Sequence, residues 1–173
     1  MLTLIKKMKK NKELYIIRHA KAERESITIK DIDRSLTGKG ITQAYLMAEK
    51  LANQVADLNL IICSPAIRAL HTATIFARKM NISLSKIILE KSIYTSEFGN
   101  TIDLIKHTPD DLDSLMIFGH NPSLSETVNH FSLDFIDFLP TCGVIKLKFN
   151  TDKWTDCGRN NSELEFCYYP QEK

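Results

Sequence analysis

An α/β domain on a mainly parallel sheet flanked by helices is the fold class this sequence predicts, and three observations predict it. Apolar runs of strand length alternate along the chain with segments of helical periodicity. Several runs are near-continuous rather than alternating in polarity, which suits strands covered on both faces. Three of them end in polar residues and pass straight into a helix start. The arrangement expected is a three-layer sandwich, helix layers on either side of the sheet.

The strand-length runs are Leu14–Ile17, Leu58–Cys63, Ile87–Leu89, Leu115–Phe118, Val144–Phe149 and Leu164–Tyr168. Between them, Ile41, Ala44, Ala48, Leu51 and Val55 follow spacings of 3, 4, 3 and 4, so a helix is expected over Thr37–Val55. Thr37 suits its N-cap, while Gly38 and Gly40 weaken its first turn. A second apolar stripe, Ala66 to Met80, predicts a helix entered through Pro65, where the missing N–H costs little. A short helix is expected over Thr101–His107, ending before Pro109, and another over Ser123–Phe131, entered through Asn121-Pro122.

The length, 173 residues, favours one domain, with residues 1–12 as a basic N-terminal tail and 13–173 as the domain. The basic run Lys6 to Lys12 reads as solvated. A net charge of +2, from 23 basic and 21 acidic residues, gives no case for a nucleic-acid partner. No run approaches the ~20 apolar residues that span a bilayer, and no signal-length stretch follows the basic N-terminus. No membrane partner is expected. Cys63, Cys142, Cys157 and Cys167 form no Cys-x-x-Cys pair and match no zinc spacing. Cys63 and Cys142 read as small core residues, and reduced thiols fit a cytoplasmic location.

In parallel α/β sheets, ligands bind beyond the carboxyl ends of the strands. Here those ends carry Arg18-His19, then Ser64-Pro65 with Arg68 in the following helix, then Gly119-His120-Asn121-Pro122. Helix N-termini add free N–H groups and a positive dipole end. If the three ends are adjacent, two arginines and two histidines form a pocket for a phosphate-like dianion. Singly, each has a blander reading as a surface dipeptide, a turn or a solvated helix arginine; their shared topological position is the argument.

These motifs, "IIRHA", "SPAIRALHTA" and "FGHNP", resemble in order those of the histidine phosphatase superfamily, also called phosphoglycerate-mutase-like. "DIDRSLTGKG" and "LPTCGVIKLKF" further resemble the short SixA-type phosphohistidine phosphatases. Ala20 stands where most of the superfamily has the glycine of Arg-His-Gly, as in many SixA-type members. The resemblance covers almost the whole chain, making 13–173 a single histidine phosphatase domain of phosphoglycerate-mutase-like fold.

The resemblance implies that His19 is the nucleophile and becomes phosphorylated on one ring nitrogen. A neutral imidazole suits that task because its ordinary pKa is ~6.5, and its other nitrogen should donate to a backbone carbonyl. Arg18, Arg68 and His120 match the positions that bind and stabilise the transferred phosphoryl group. Arg18 and Arg68 should lower the pKa of His19, and His120 should tend towards the cation beside a bound dianion. Arg34 is a further candidate at the substrate-binding rim, unless it pairs with Asp31 or Asp33. His71, one helical turn after Arg68, reads as structural or solvated.

No metal and no cofactor are expected, since arginines take the part Mg²⁺ plays in kinases. The superfamily's larger members add a carboxylic acid that protonates an alkoxide leaving group. Here Glu97 has the stronger claim beside Glu90, and its setting does not match. Lack of such an acid favours a labile P–N bond over an alkyl ester, for which the acid is worth about 10²–10⁴. The expected partner is therefore a phosphorylated substrate, foremost a phosphohistidine-bearing protein. A small-molecule phosphomonoesterase and a non-catalytic, phosphate-binding pseudophosphatase remain open alternatives.

Overall fold

The computed structural model describes residues 11–55, 57–95 and 98–171. Six strands form one sheet: β1 (Lys12–Arg18), β2 (Leu60–Cys63), β3 (Ile87–Leu89), β4 (Ser114–Gly119), β5 (Val144–Phe149) and β6 (Ser162–Tyr168). Their order is β3-β2-β4-β1-β5-β6. The first four run parallel, and β5 and β6 extend the sheet with antiparallel pairings. The helices are α1 (Gly38–Ala52), α2 (Ile67–Lys79), α3 (Phe98–Lys106) and α4 (Ser123–Phe131).

The unbroken apolar run of β1 has a direct cause. Tyr15 and Ile17 pack with Ala44 and Ala48 of α1 and Ala73 and Phe76 of α2. Leu14 and Ile16 point the other way, into a core with Ile105 of α3 and Val128 of α4. Both faces of the strand are covered, so both registers of the two-residue period must be apolar. The helices form the two outer layers of the expected sandwich.

Helix ends depart from the periodicity in small ways. The stripe ending at Val55 outlasts its helix: α1 stops at Ala52, and Val55 still reaches the core from the turn that follows. Conversely, α3 starts at Phe98, ahead of the expected Thr101.

The solvated basic run needs a correction at its last member. Lys12 lies in β1 and is fully buried. Its ammonium donates to Asp110 O at 2.6 Å, Leu112 O at 3.1 Å and the Asp113 carboxylate at 2.9 Å, so all three of its hydrogens have acceptors. The aromatic face of Trp154 lies 5.8 Å away. Residues 1–10 of the expected tail fall outside the described residues.

The first turn of α1 is also more than a weak start. Thr37 caps it as expected, accepting from Gly40 N at 2.9 Å. The backbone N–H and hydroxyl of Thr37 both donate to Lys21 O. This close approach leaves no room for a side chain at position 40: a Cβ there would sit 2.0 Å from Lys21 O. Gly40 therefore locks the segment leaving His19 against α1. Gly40→Ala is expected to cost at least about 1–3 kcal/mol of stability in urea denaturation.

Candidate active site

Strand register brings the predicted residues together. Arg18 of β1 pairs with Gly119 of β4, and His19 N donates to Gly119 O at 3.1 Å. His19 and His120 therefore leave the sheet at one level, with ring centroids 5.0 Å apart. On the other side of β4, Ser64 N donates to Phe118 O, which delivers α2 and Arg68 to the same end. His19, Arg68 and His120 are buried, and Arg18 is half-buried.

The tautomer of His19 follows from its partners. His19 Nδ1 lies 2.8 Å from Ala20 O, and a carbonyl only accepts, so Nδ1 carries the proton. Nε2 thus holds the lone pair, and Arg68 Nε donates to it at 3.3 Å. The backbone carbonyl bond expected from the sequence is present. Thr72, rather than His71, is the α2 residue that reaches the catalytic segment: its hydroxyl accepts from Ala20 N at 3.0 Å and donates to Arg68 O at 2.7 Å. On the far side, the Cys142 N–H is shared between the carbonyls of Arg18 and His19, both at 3.1 Å. This is done from a left-handed backbone with φ 61°, a region that few non-glycine residues occupy.

Arg68 is held by a residue the sequence reading did not select. Its Nη2 donates to Asp31 Oδ2 at 2.9 Å and its Nη1 to Asp31 O at 2.5 Å. Tyr94 donates its hydroxyl to the same Oδ2 at 3.0 Å. Arg34 is paired with Asp31, with Nη2–Oδ1 at 2.7 Å, and also donates to Glu23 O. Arg34 therefore stands behind Asp31 and tops up the positive field, the pairing that had been left open.

Two buried polar atoms of the expected phosphate binders have no partner among the described residues: Arg18 Nε and His120 Nδ1. Orphaned buried donors call for an acceptor from outside the chain. The rest of Arg18 is fixed, with Nη1 donating to Leu139 O at 2.9 Å and the guanidinium lying 4.6 Å over Phe138. His120 Nε2 is 2.8 Å from Ser64 Oγ. That oxygen already accepts from Ala66 N, and Ser64 is fully buried. Its one hydrogen goes to His120 Nε2, which leaves the His120 proton on Nδ1, the orphaned atom.

Both imidazoles are neutral in the free protein. Burial lowers His19 to about 4; the Ala20 hydrogen bond opposes this, and the charges of Arg68, Arg18 and Arg34 add to it. The arginines expected to set this pKa thus act second to desolvation. Burial likewise lowers His120 to about 3, with His19 and Arg68 next. The cation expected for His120 beside a dianion is therefore not its resting state. For Asp31, desolvation is the largest influence and raises the pKa. The hydrogen bonds of Arg68, Tyr94 and Arg34 outweigh it and hold the group down at about 2.

No described carboxylate here is suited to act as a general acid. Asp31 is held ionised. Glu90 caps a 3₁₀ turn, and hydrogen bonds from Ser92 lower its pKa. Glu97 lies outside the described residues. Among the described residues, no group of three or more His, Cys, Asp or Glu side chains is placed to hold a metal ion. No helix among them is long and apolar enough to cross a membrane.

The profile of the histidine phosphatase superfamily (branch 1) matches residues 14–131, more than half of the chain, and the chain belongs to that superfamily. It is 24% identical over 152 residues to an uncharacterised protein of Mycobacterium leprae, covering 83% of this chain and 91% of the relative. Among solved structures, it superposes on a candidate phosphohistidine phosphatase SixA from Agrobacterium tumefaciens with a TM-score of 0.76 at 24% identity, covering 92% of this chain and 99% of the other. A protein histidine phosphatase SixA complexed with tungstate gives 0.77 at 19% identity, covering 91% and 97%. A mycobacterial glucosyl-3-phosphoglycerate phosphatase gives 0.64 at 11% identity, covering 90% and 97%. These likenesses bear out the phosphoglycerate-mutase-like fold.

Three outcomes are expected. In ¹⁵N NMR titrations of the free protein, His19 and His120 stay neutral from pH 8 to pH 5; a midpoint near ~6.5 for either would contradict the burial account. Because the unfolded chain takes up these protons near ~6.5 and the folded one only near 4 and 3, stability is greatest above pH 6.5 and falls as pH drops towards 4. Ser64→Ala is expected to turn His120 into a tautomer mixture by NMR and to lower kcat/KM by about ten- to a hundredfold, the cost of an unmet buried acceptor.

Proposed function

We propose that this protein is a SixA-type phosphohistidine phosphatase that works without a metal through a phosphorylated His19. The observation that carries the reading is the His19 Nε2 lone pair, oriented by Ala20 and Arg68 and facing the ring of His120. Nε2 attacks phosphorus while the P–N bond to the substrate's imidazole breaks. That imidazole leaves as a neutral ring once it gains a proton from solvent. Water then attacks the phosphoryl group, the Nε2–P bond breaks, and orthophosphate and free His19 result. Throughout, Nδ1 keeps its proton on the Ala20 carbonyl, which supports the positive charge that builds on the phosphorylated ring.

Arg18 and Arg68 bind the equatorial oxygens, and His120 Nδ1 donates to a third. Such fixed donors act mostly by positioning and by stabilising the charge of the transition state. A neighbour of the same fold is complexed with tungstate, a tetrahedral oxyanion, which supports an anion-binding reading. Asp31, the carboxylate described against Arg68, is held ionised and offers no proton to an alkoxide leaving group, which supports a P–N substrate. A small phosphoester is the second reading, favoured by the likeness to glucosyl-3-phosphoglycerate phosphatase.

Brief incubation with ³²P-labelled phosphohistidine protein, followed by alkaline quench, is expected to trap label on the wild type and none on His19→Ala. An unlabelled wild type would support the non-catalytic alternative. His19→Ala should lose at least about 10³-fold in turnover and Arg68→Ala about 10²–10³-fold. Phosphoramidate should be hydrolysed faster than p-nitrophenyl phosphate or sugar phosphates; a clear preference for the esters would transfer the assignment to the second reading.

A further inference from the structure

A groove of about 500 Å³ opens from Arg18 and runs along α4. One wall is the α4 stripe of Ser125, Glu126 and Asn129, and the other carries Phe135, Asp137 and Phe138. From its Asn121-Pro122 end to Asn129 it covers about 10 Å at the helical rise per residue. Arg18 lines its head, so the groove is continuous with the catalytic site.

The second wall is exposed without being loose. Asn129 Nδ2 donates to Ile136 O and Asn129 Oδ1 accepts from Ile136 N, both at 2.8 Å. Leu139 N donates to Ser125 Oγ at 3.0 Å. Ile136 and Leu139 are buried, while Phe135 is 77% and Phe138 58% exposed. Two aromatic side chains thus face solvent on a pinned segment. Glu126 and Asp137 are exposed beside them, and neither has an ion-pair partner among the described residues. Arg159 is committed to the Asn129 carbonyl.

Aromatic faces next to unpaired carboxylates are the complement of an alkyl cation, which gains from both the ring quadrupole and the charge. We propose that this groove receives a lysine or arginine side chain of a phosphorylated protein substrate, close to the phosphorylated residue, stacked against Phe135 and paired with Glu126 or Asp137. The assignment rests on the phosphohistidine phosphatase reading and adds a specificity element to it. Phosphate on Arg18 neutralises the one cation at the groove's head and so removes its repulsion for the incoming side chain. A small sugar phosphate carries nothing that would use this surface.

The test compares two synthetic phosphohistidine peptides that differ only in carrying two lysines or two glutamates beside the phosphohistidine, with phosphoramidate as the reference substrate. The wild type is expected to favour the lysine peptide in kcat/KM by about tenfold, the combined size of one stacking and one ionic contact. In E126K/D137K that preference should vanish or reverse, and added salt should shrink it in the wild type. A conservative Phe135→Leu should reduce it partway. Equal rates on the two peptides, or a preference that E126K/D137K leaves intact, would overturn the groove assignment while phosphoramidate turnover upholds the chemistry. Failure of the wild type on phosphoramidate and both peptides would instead overturn the phosphatase reading itself.

Discussion

The parallel pairing of β1 with β4 is the constraint on which the site depends. Arg18 stands opposite Gly119, so the residues that follow, His19 and His120, emerge together. The interior of β1 does not fix this register, because Leu14 to Ile17 are apolar towards both faces. Its ends do. Sliding β1 one residue along its neighbours would draw Arg18 into the dry sheet, where an unpaired guanidinium is expensive, or push Ile17 out to water. The residues of the site thus help to set the register that brings them together.

Around that level the chain concentrates positive charge and keeps its imidazoles free of it. Arg18, Arg68 and Arg34 lie near two rings that remain uncharged because protonating either would add a cation to a buried, basic site. One nitrogen of each ring fixes its tautomer, His19 Nδ1 on Ala20 O and His120 Nε2 on Ser64 Oγ; of the other two, His19 Nε2 accepts from Arg68 Nε and His120 Nδ1 has no partner among the described residues. Hydrogen-bond geometry thereby assigns one ring as lone-pair donor and the other as proton donor, although both are histidine.

Much of this was legible in the sequence because strand ends are legible. Apolar runs stop where the sheet stops, so Arg18, His19 and His120 could be placed past strand ends, and Arg68 one turn into a helix, before any coordinates. Asp31 was not legible as a functional residue. It sits in a short 3₁₀ turn with no periodicity to give its direction, and its value comes from folding back onto Arg68, 37 residues away. The only available signal was its place in "DIDRSL", where Arg34 drew the attention instead. Gly40 and Lys12 misled for a related reason. A glycine looks weak in a helix until the carbonyl that it admits is known, and a lysine in a basic run looks solvated until its three acceptors are found.

Asp31 also has a consequence for how tightly the pocket can hold an anion. A pocket of guanidinium groups with no anion of its own would cling to orthophosphate, since its departure would leave the cations facing one another. Here a carboxylate built into the wall already satisfies one edge of Arg68 and the head of Arg34. The empty pocket is therefore partly compensated from within, and an anion entering it meets less net positive charge than bare arginines would present.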